Sequence, residues 1–510
     1  SKVPMADGTQ RLIIATCEKG TVEDIADMRG IKDGLDDLKK ENPNMIEVAA
    51  KDAWITYKPE IVMDKVEEPK GLFVSKKLKE DYATNMELRE KRKKIVIGIP
   101  RVLNMYQHTP FFTAYLEALG IMPGNFVYSE FTSEEMYKAG AKRGSIDPCF
   151  PSKVAIPHIH NLLYVQHKKK KIDFLFSPIV DNMPSDLEFA QAHTACPTIT
   201  ATIEAAKAAF TKEGDLFKEF GVEYLCPFIQ LFNEQMTAKQ MYECFKDKLG
   251  LNEEENRLAV KEGYKAYYKF MNSLKSQSRT VIDNLEKENK IGIVILARPY
   301  HNDPGINHEI LEEFQKLGYP VLYQDALPTD PEILDRLFGD EVRAGIIKSA
   351  FDIADVWKNS YSENTSRKVW AAKYTARHPN LVALELSSFK CGHDAPIYTV
   401  VQEIVESSGT PYFSFKDIDE NKPTGSIKIR VETIGYFLKR YREDMIAKSK
   451  NEMSIEDKLK EFEMKIRNSY ELQERLKGSQ YKESFNISTK GQPGVIIPVG
   501  DIKIREMESV

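Results

Sequence analysis

Cysteine is scarce. The 510 residues hold six thiols, at Cys17, Cys149, Cys196, Cys226, Cys244 and Cys391. No two of them form a CxxC pair, and none of the local ferredoxin spacings occurs. So thin a set excludes a disulfide scaffold. Long apolar runs are also missing. The longest, such as Ile291–Ala297, are of strand length, which excludes a spanning helix. Neither sign of charge dominates: 72 basic against 77 acidic residues leave a net charge of -5, so nothing points to nucleic acid. The first twenty residues mix charges with apolar positions, unlike a signal peptide. The chain starts at Ser1 without an initiator Met and reads as a processed or partial chain. The expected location is the cytoplasm, where thiols are buried, catalytic or metal-bound. What remains is an ordinary apolar fraction, 42%, in a chain long enough for two to four domains.

The texture divides the chain. Residues 1–90 are highly charged, with a strand expected at Arg11–Cys17, a helix at Thr21–Lys40 and a linker at Glu60–Lys79. Residues 91–250 open with "KKIVIGIPRVLNMYQHTPFFTAYLEALGI" and residues 291–425 with "IGIVILARPYHNDPGINHEILEEFQKLGYPVL". Both read as an apolar strand, an Arg-Val or Arg-Pro step, a nearby Tyr and His, and a Pro-initiated amphipathic helix ended by Leu-Gly. This is an internal duplication of an α/β unit. Further strands are expected at Asn125–Phe131, Ile172–Phe176, Pro320–Gln324 and Leu381–Leu386. Helices are expected at Ser133–Ala139, Lys153–His167, Ile199–Phe210 and Ile397–Ser407. Strands alternating with helices predict parallel sheets. The fold class is therefore α/β, with two Rossmann-like parallel-sheet subdomains. A charged helix over 251–290 joins them, and a helical arm and tail occupy 426–510. The closing "NISTKGQPGVIIPVGDIKI" reads as a strand or a tail. The run "HKKKKID" reads as a solvated helix end favoured by the dipole.

Three thiols fall in loops that open helices. Cys149 precedes Pro151, Cys196 precedes Pro197 at the first helical position, and Cys391 precedes a helix beginning near Pro396. Unpaired N–H groups and the positive dipole end favour anionic sulfur there. Loops at the carboxyl ends of parallel strands can meet although far apart in sequence. An iron–sulfur cluster suits such a meeting; a buried, inert thiol is the alternative. Cys17 and Cys244 read as buried. Cys226, in "VEYLCPFIQL", reads as buried or as a fourth ligand, and a closed zinc site of Cys149, Cys196, Cys226 and Cys391 is a further possibility.

Longer motifs carry a resemblance. "IGIPRVLNMYQHTPFFTAYLEALGI", "FTSEEMYKAGAKRGSIDPCFPSKVAIPHIHNLL", "ARPYHNDPGINHEILEEFQKLGYPVL", "KVWAAKYTARHPNLVALELSSFKCGHDAP" and "DIDENKPTGSIKIRVET" resemble the acyl-CoA dehydratase activase-related proteins, relatives of the 2-hydroxyacyl-CoA dehydratase and benzoyl-CoA reductase systems. The similarity runs over roughly 10–445. It implies two α/β subdomains around a 4Fe-4S cluster held by Cys149, Cys196 and Cys391, with one iron open. A double-cubane 8Fe-9S cluster on six cysteines is the less favoured form. It also implies electrons from an ATP-hydrolysing activator of the actin/Hsp70-like fold, on the same or another chain. The ATPase phosphate loops have no counterpart here, so no nucleotide site is expected. The chain then reads as a fragment, half of a split system, or a stand-alone version. Beside the cluster the resemblance puts Arg298, Tyr300, His301, Asp303 and His393, with Asp394 next to His393. Arg101 and Tyr106 are weaker counterparts from the first unit, and Lys153, Lys390 and Lys428 balance charge. An Arg298–Asp303 structural pair is the plainer alternative. The expected activity is reduction or dehydration of a bound CoA thioester. A non-catalytic electron carrier is the rival, and a homodimer through the C-terminal helix is a further expectation.

Overall fold

The computed structural model describes residues 2–4, 10–12, 25–62, 68–69, 71, 74–144, 149–388, 390–420 and 423–478. Cys17 and the closing "NISTKGQPGVIIPVGDIKI" lie outside them. The chain divides into two units, Ser1–Arg442 and Glu443–Val510.

Two four-stranded parallel sheets organise the first unit. One is built from β1 (Ile97–Ile99), β2 (Phe126–Tyr128), β3 (Phe174–Phe176) and β4 (Glu223–Leu225), in the order β2-β1-β3-β4. The other is built from β5 (Gly292–Leu296), β6 (Val321–Tyr323), β7 (Leu381–Leu386) and β8 (Tyr412–Phe415), in the order β6-β5-β7-β8. The two orders are the same, so the duplication read from the sequence is present in the topology. Every residue of β5 and β7 is buried, as expected of central parallel strands covered on both faces. Their register sets Leu381 against Gly292 and Glu385 against Leu296.

Helices fill the faces. Among them are α1 (Met105–Ala118), α2 (Phe150–Lys153), α3 (Pro197–Thr211), α4 (Glu253–Glu288) and α5 (Glu363–Arg377), and a further helix, α6, spans Thr424–Gly478. α3 begins as its sequence prescribes, with Cys196 as N-cap and Pro197 at the first turn. The helix Glu134–Gly140 is capped by Ser133, whose hydroxyl accepts from the Met136 N–H. α4 confirms the long helix expected between the halves.

Three expectations need correction. Pro110 does not start a helix but lies inside α1, and all fourteen residues of α1 are buried rather than amphipathic. α1 is wedged against α4, its Phe111 ring edge-on to Tyr264 and its Tyr115 hydroxyl bonded to Asn256. The second unit's helix is short, Ile310–Lys316, and opens at Glu309 with φ 60, not at Pro304. The expected Lys153–His167 helix is broken into α2, Ala155–Asn161 and a π-turn at Leu162–Gln166. No helix among the described residues is long and apolar enough to cross a membrane.

Candidate functional site

In an open parallel sheet, ligands gather where the strand order reverses, beyond the carboxyl ends of the strands. In the second sheet that point lies between β5 and β7. β5 delivers Arg298 and the 3-10 turn Pro299–Asn302, and β7 delivers Ser387, Cys391 and Asp394.

Arg298 is 1% exposed. Its Nη2 donates to Asp394 Oδ1 at 2.8 Å and to Thr365 Oγ1 on α5 at 3.1 Å; its Nε donates to Asp394 at 3.2 Å. Asp394 is bound from the other side by Lys368 Nζ at 2.9 Å and by the Ser387 hydroxyl at 2.6 Å. Lys368 also donates to Glu385 at 3.0 Å. Two cations and two carboxylates thus balance in a fully buried network. Burial alone would raise the Asp394 carboxyl, but Arg298 and Lys368 hold it far below the usual range. Burial alone would lower Lys368, yet Asp394 and Glu385 hold it raised. One polar atom of the network is left over: Arg298 Nη1 is buried and has no hydrogen-bond partner.

The neighbours are set for proton handling without charge. His301 Nδ1 accepts from the Arg298 N–H at 3.1 Å, and burial, with Lys368 beside it, pushes the ring down to about 3. His301 is therefore neutral, with its proton on Nε2. Burial, with the Cys391 charge beside it, raises the Tyr300 phenol well above its ordinary value, so it stays protonated. His393 is half-buried, and burial lowers it too, so it is neutral at pH 7.

The Arg298–Asp303 pair does not form. Asp303 instead joins the two halves: its Oδ2 accepts from the Tyr106 hydroxyl at 2.7 Å and the Thr132 hydroxyl at 2.8 Å, and its Oδ1 accepts from the Gly305 N–H at 2.8 Å. The carboxylate reaches across because Asp394 already occupies Arg298. Gly305 lets the strands of this junction touch, since a Cβ there would lie 2.0 Å from the Thr132 carbonyl oxygen. Gly305→Ala is expected to cost about 1–3 kcal/mol by forcing the junction apart. A urea midpoint unchanged from the parent would contradict that.

Arg101 is the topological counterpart of Arg298 but not its functional one. Its guanidinium lies over the rings of Phe131, Trp54 and Tyr128 at 4.5, 5.2 and 5.2 Å, and Nη1 donates to the Ser129 carbonyl at 2.7 Å.

Three thiol loops are tied together. The Ser152 hydroxyl on α2, which Cys149 caps, bonds the Thr202 hydroxyl on α3, which Cys196 caps, at 2.5 Å. Thr194, two residues before Cys196, donates from its N–H to the Tyr361 carbonyl at 2.9 Å. The Tyr361 ring lies 5.9 Å from His393, two residues after Cys391. Tyr300 has both Cys391 and Cys149 in its surroundings. Among the described residues, however, no three His, Cys, Asp or Glu side chains stand close enough to hold one metal ion. A cubane cluster bears its irons on separate corners, so its thiols stand wider apart than the ligands of a single ion. Cys149 and Cys196 come from the first half and Cys391 from the second. Burial, then Asp394, raises the Cys391 thiol.

Cys226 goes elsewhere. Its thiol lies 3.1 Å from Glu204 Oε1 and 3.7 Å from Lys207 Nζ. Glu204 is eight residues along α3 from Cys196, a rise of about 12 Å. Burial raises the Cys226 thiol to about 11 and the Cys244 thiol to about 12. Both line a separate cleft of 560 Å³ between β4 and the helix Glu234–Leu249. The four-cysteine zinc site is therefore not assembled. Lys153 is taken by Glu420 at 2.7 Å, while Lys390 and Lys428 are exposed.

Lys368 went unnoticed in the sequence. Its signal was there: every residue of α5 from Glu363 to Thr375 is buried, so "KVWAAK" sets two lysines in a helix without a polar face. A buried lysine needs a carboxylate.

Residues 96–327 match the family described as the CoA enzyme activase uncharacterised domain. The resemblance read over 10–445 thus holds for the first subdomain, the connecting helix and the start of the second. Cys149, Cys196 and Arg298–Asp303 fall within the match, whereas Cys391 and His393 lie beyond it. No curated protein matches the chain.

Proposed function

We propose that this chain, which carries a CoA enzyme activase domain over residues 96–327, is the redox part of an ATP-driven electron-transfer system. Cys149, Cys196 and Cys391 would hold a 4Fe-4S cluster between the two sheets. When bound, such a cluster supplies one electron at low potential and an open iron. The donor is an ATP-hydrolysing partner of the actin-like fold, and the acceptor is a bound acyl compound, in the first instance a CoA thioester. The observation that carries this reading is the linkage of the three thiol loops through Ser152–Thr202, Thr194–Tyr361 and Tyr361–His393.

This chain's own groups divide the remaining work. Tyr300 keeps its proton in the surroundings of Cys391 and Cys149. His301 presents a neutral Nε2–H. His393, half-buried and neutral, takes or gives a proton at the rim. Arg298 offers Nη1 to an oxygen of the substrate. That spare buried donor favours an enzyme over a simple carrier, which needs no convergent polar groups.

Iron and acid-labile sulfide, with an EPR spectrum, should be measured on protein purified without oxygen. The expected content is about four irons per chain, falling to a trace in Cys391→Ala but not in Cys244→Ala. Iron that ignores Cys391 would remove the ligand assignment.

A further inference from the structure

The start of α5 is where the thiol loops and the charge network meet. Glu363 donates its N–H to the Thr194 carbonyl at 3.1 Å, just before Cys196. Thr365 receives Arg298 Nη2 at 3.1 Å. Tyr361 faces His393. α5 runs for fifteen residues, and its N-cap Ser362 makes no side-chain capping bond. The Ser362 hydroxyl and the Asn364 amide oxygen are buried without partners, at 3% and 2% exposure. Arg298 Nη1 is buried without a partner as well. It belongs to the same planar guanidinium whose Nη2 touches Thr365, so it lies at this same turn.

Three unused polar groups at a buried helix start are costly unless something occupies them, about 1–3 kcal/mol each. A helix start and a guanidinium both favour negative charge. The acidic groups nearby are already engaged. Asp394 and Glu385 neutralise Arg298 and Lys368. Glu363 is turned to His193 at 2.8 Å and to Arg367 at 3.3 Å. Each cation there is thus already paired, so the turn offers hydrogen bonds to one small group and no counter-charge for a dianion such as phosphate.

We propose that the first turn of α5 and Arg298 Nη1 form a binding site for one carboxylate of a small organic ligand. One carboxylate oxygen accepts from Arg298 Nη1 and the other from the Ser362 hydroxyl, with the Asn364 amide turning its NH₂ inward. The ligand's carboxylate then lies beside Arg298, whose partner Asp394 follows Cys391 by three residues. Only the further step, that this ligand is the compound reduced, rests on the cluster reading. The substrate class becomes an acyl compound that carries a free carboxylate.

The test is saturation-transfer NMR on the full chain with acetate, beside its neutral isostere acetamide. Acetate should bind, with acetamide weaker by about tenfold, since hydrogen bonds from Arg298 Nη1 and the helix start are stronger to an anion. Asn364→Asp, a residue type favourable at a helix start, should remove the acetate signal by repulsion while leaving the circular dichroism unchanged. Ser362→Ala should weaken it with less risk to folding. Equal binding of acetate and acetamide, or acetate binding undiminished in both variants, would overturn the proposal, as would no binding by either probe. Iron content measured on the same samples separates the two readings: acetate binding without iron keeps this site and discards the cluster.

Discussion

Replacing Asp394 by Asn should destabilise the fold by about 3–5 kcal/mol, because it strips the shared counter-charge from two buried cations. Arg298 and Lys368 approach the carboxylate at 2.8 and 2.9 Å from opposite sides, and neither has water to turn to. Asn would keep an acceptor for Arg298 but present its NH₂ group to the Lys368 ammonium, donor against donor. Urea unfolding followed by circular dichroism measures the loss, and a change below about 1 kcal/mol would show that the network relaxes. The double variant Asp394→Asn/Lys368→Met should regain part of it, since one orphaned cation goes with its partner. The pH dependence has a definite sign. The folded Asp394 carboxyl is depressed below its unfolded value, so its contribution is complete above the unfolded value, about 3.9, and fades as pH falls below that. The gap between parent and variant should therefore be constant from pH 6 to 8 and narrow below about pH 4. A gap that widened under acid would contradict the assignment.

The second large effect lies far from the thiols. Among the described residues, Glu255, at the start of α4, is the sole carboxylate bonded to two buried arginines. Arg92 reaches it with Nη1 at 2.7 Å and Nη2 at 3.1 Å, and Arg89 with Nη2 at 3.0 Å. Arg92 further closes on the carbonyls of Leu249, Leu119 and Gly250. Glu255→Gln preserves shape but leaves two guanidinium charges buried, again about 3–5 kcal/mol. The helix Lys76–Arg92, held chiefly through this pair of arginines, should lose its hydrogen-exchange protection first. If α4 and the Lys76–Arg92 helix exchanged as in the parent, the clamp would be shown to be dispensable. Iron binding should be unaffected by Glu255→Gln as long as the chain is folded, unlike the Cys391 variant.

These two sites differ in how far the sequence announces them. Ile291–Ala297 and Leu381–Leu386, apolar but for Glu385, lie between turn signals, and both became central strands, with β7 matching residue for residue. Cys196-Pro197 read as a cap and first turn, and is one. Such features follow from neighbours in the chain, so periodicity and capping chemistry expose them. The edge strands Glu223–Leu225 and Tyr412–Phe415 escaped, being three and four residues long and set by pairing with β3 and β7. Their hydrogen bonds, not their own pattern, make them strands. The linker expected at Glu60–Lys79 gives way at Lys76 to the helix Lys76–Arg92, which was not read from the highly charged first ninety residues, and its Arg89 and Arg92 are buried.

By itself, then, the amino-acid order determined the α/β class, the repeated strand–helix unit, the thiols at helix starts and a resemblance that the family match upholds over 96–327. Those depend on local spacing and composition. The tertiary structure alone decided which charges pair. It gave Asp394, not Asp303, to Arg298, sent Asp303 across to Tyr106 and Thr132, sank Lys368 between Asp394 and Glu385, and drew Cys226 away to Glu204. A charge takes the partner that packing brings within about 3 Å once water is excluded, and in this chain such partners lie as far as 267 residues apart.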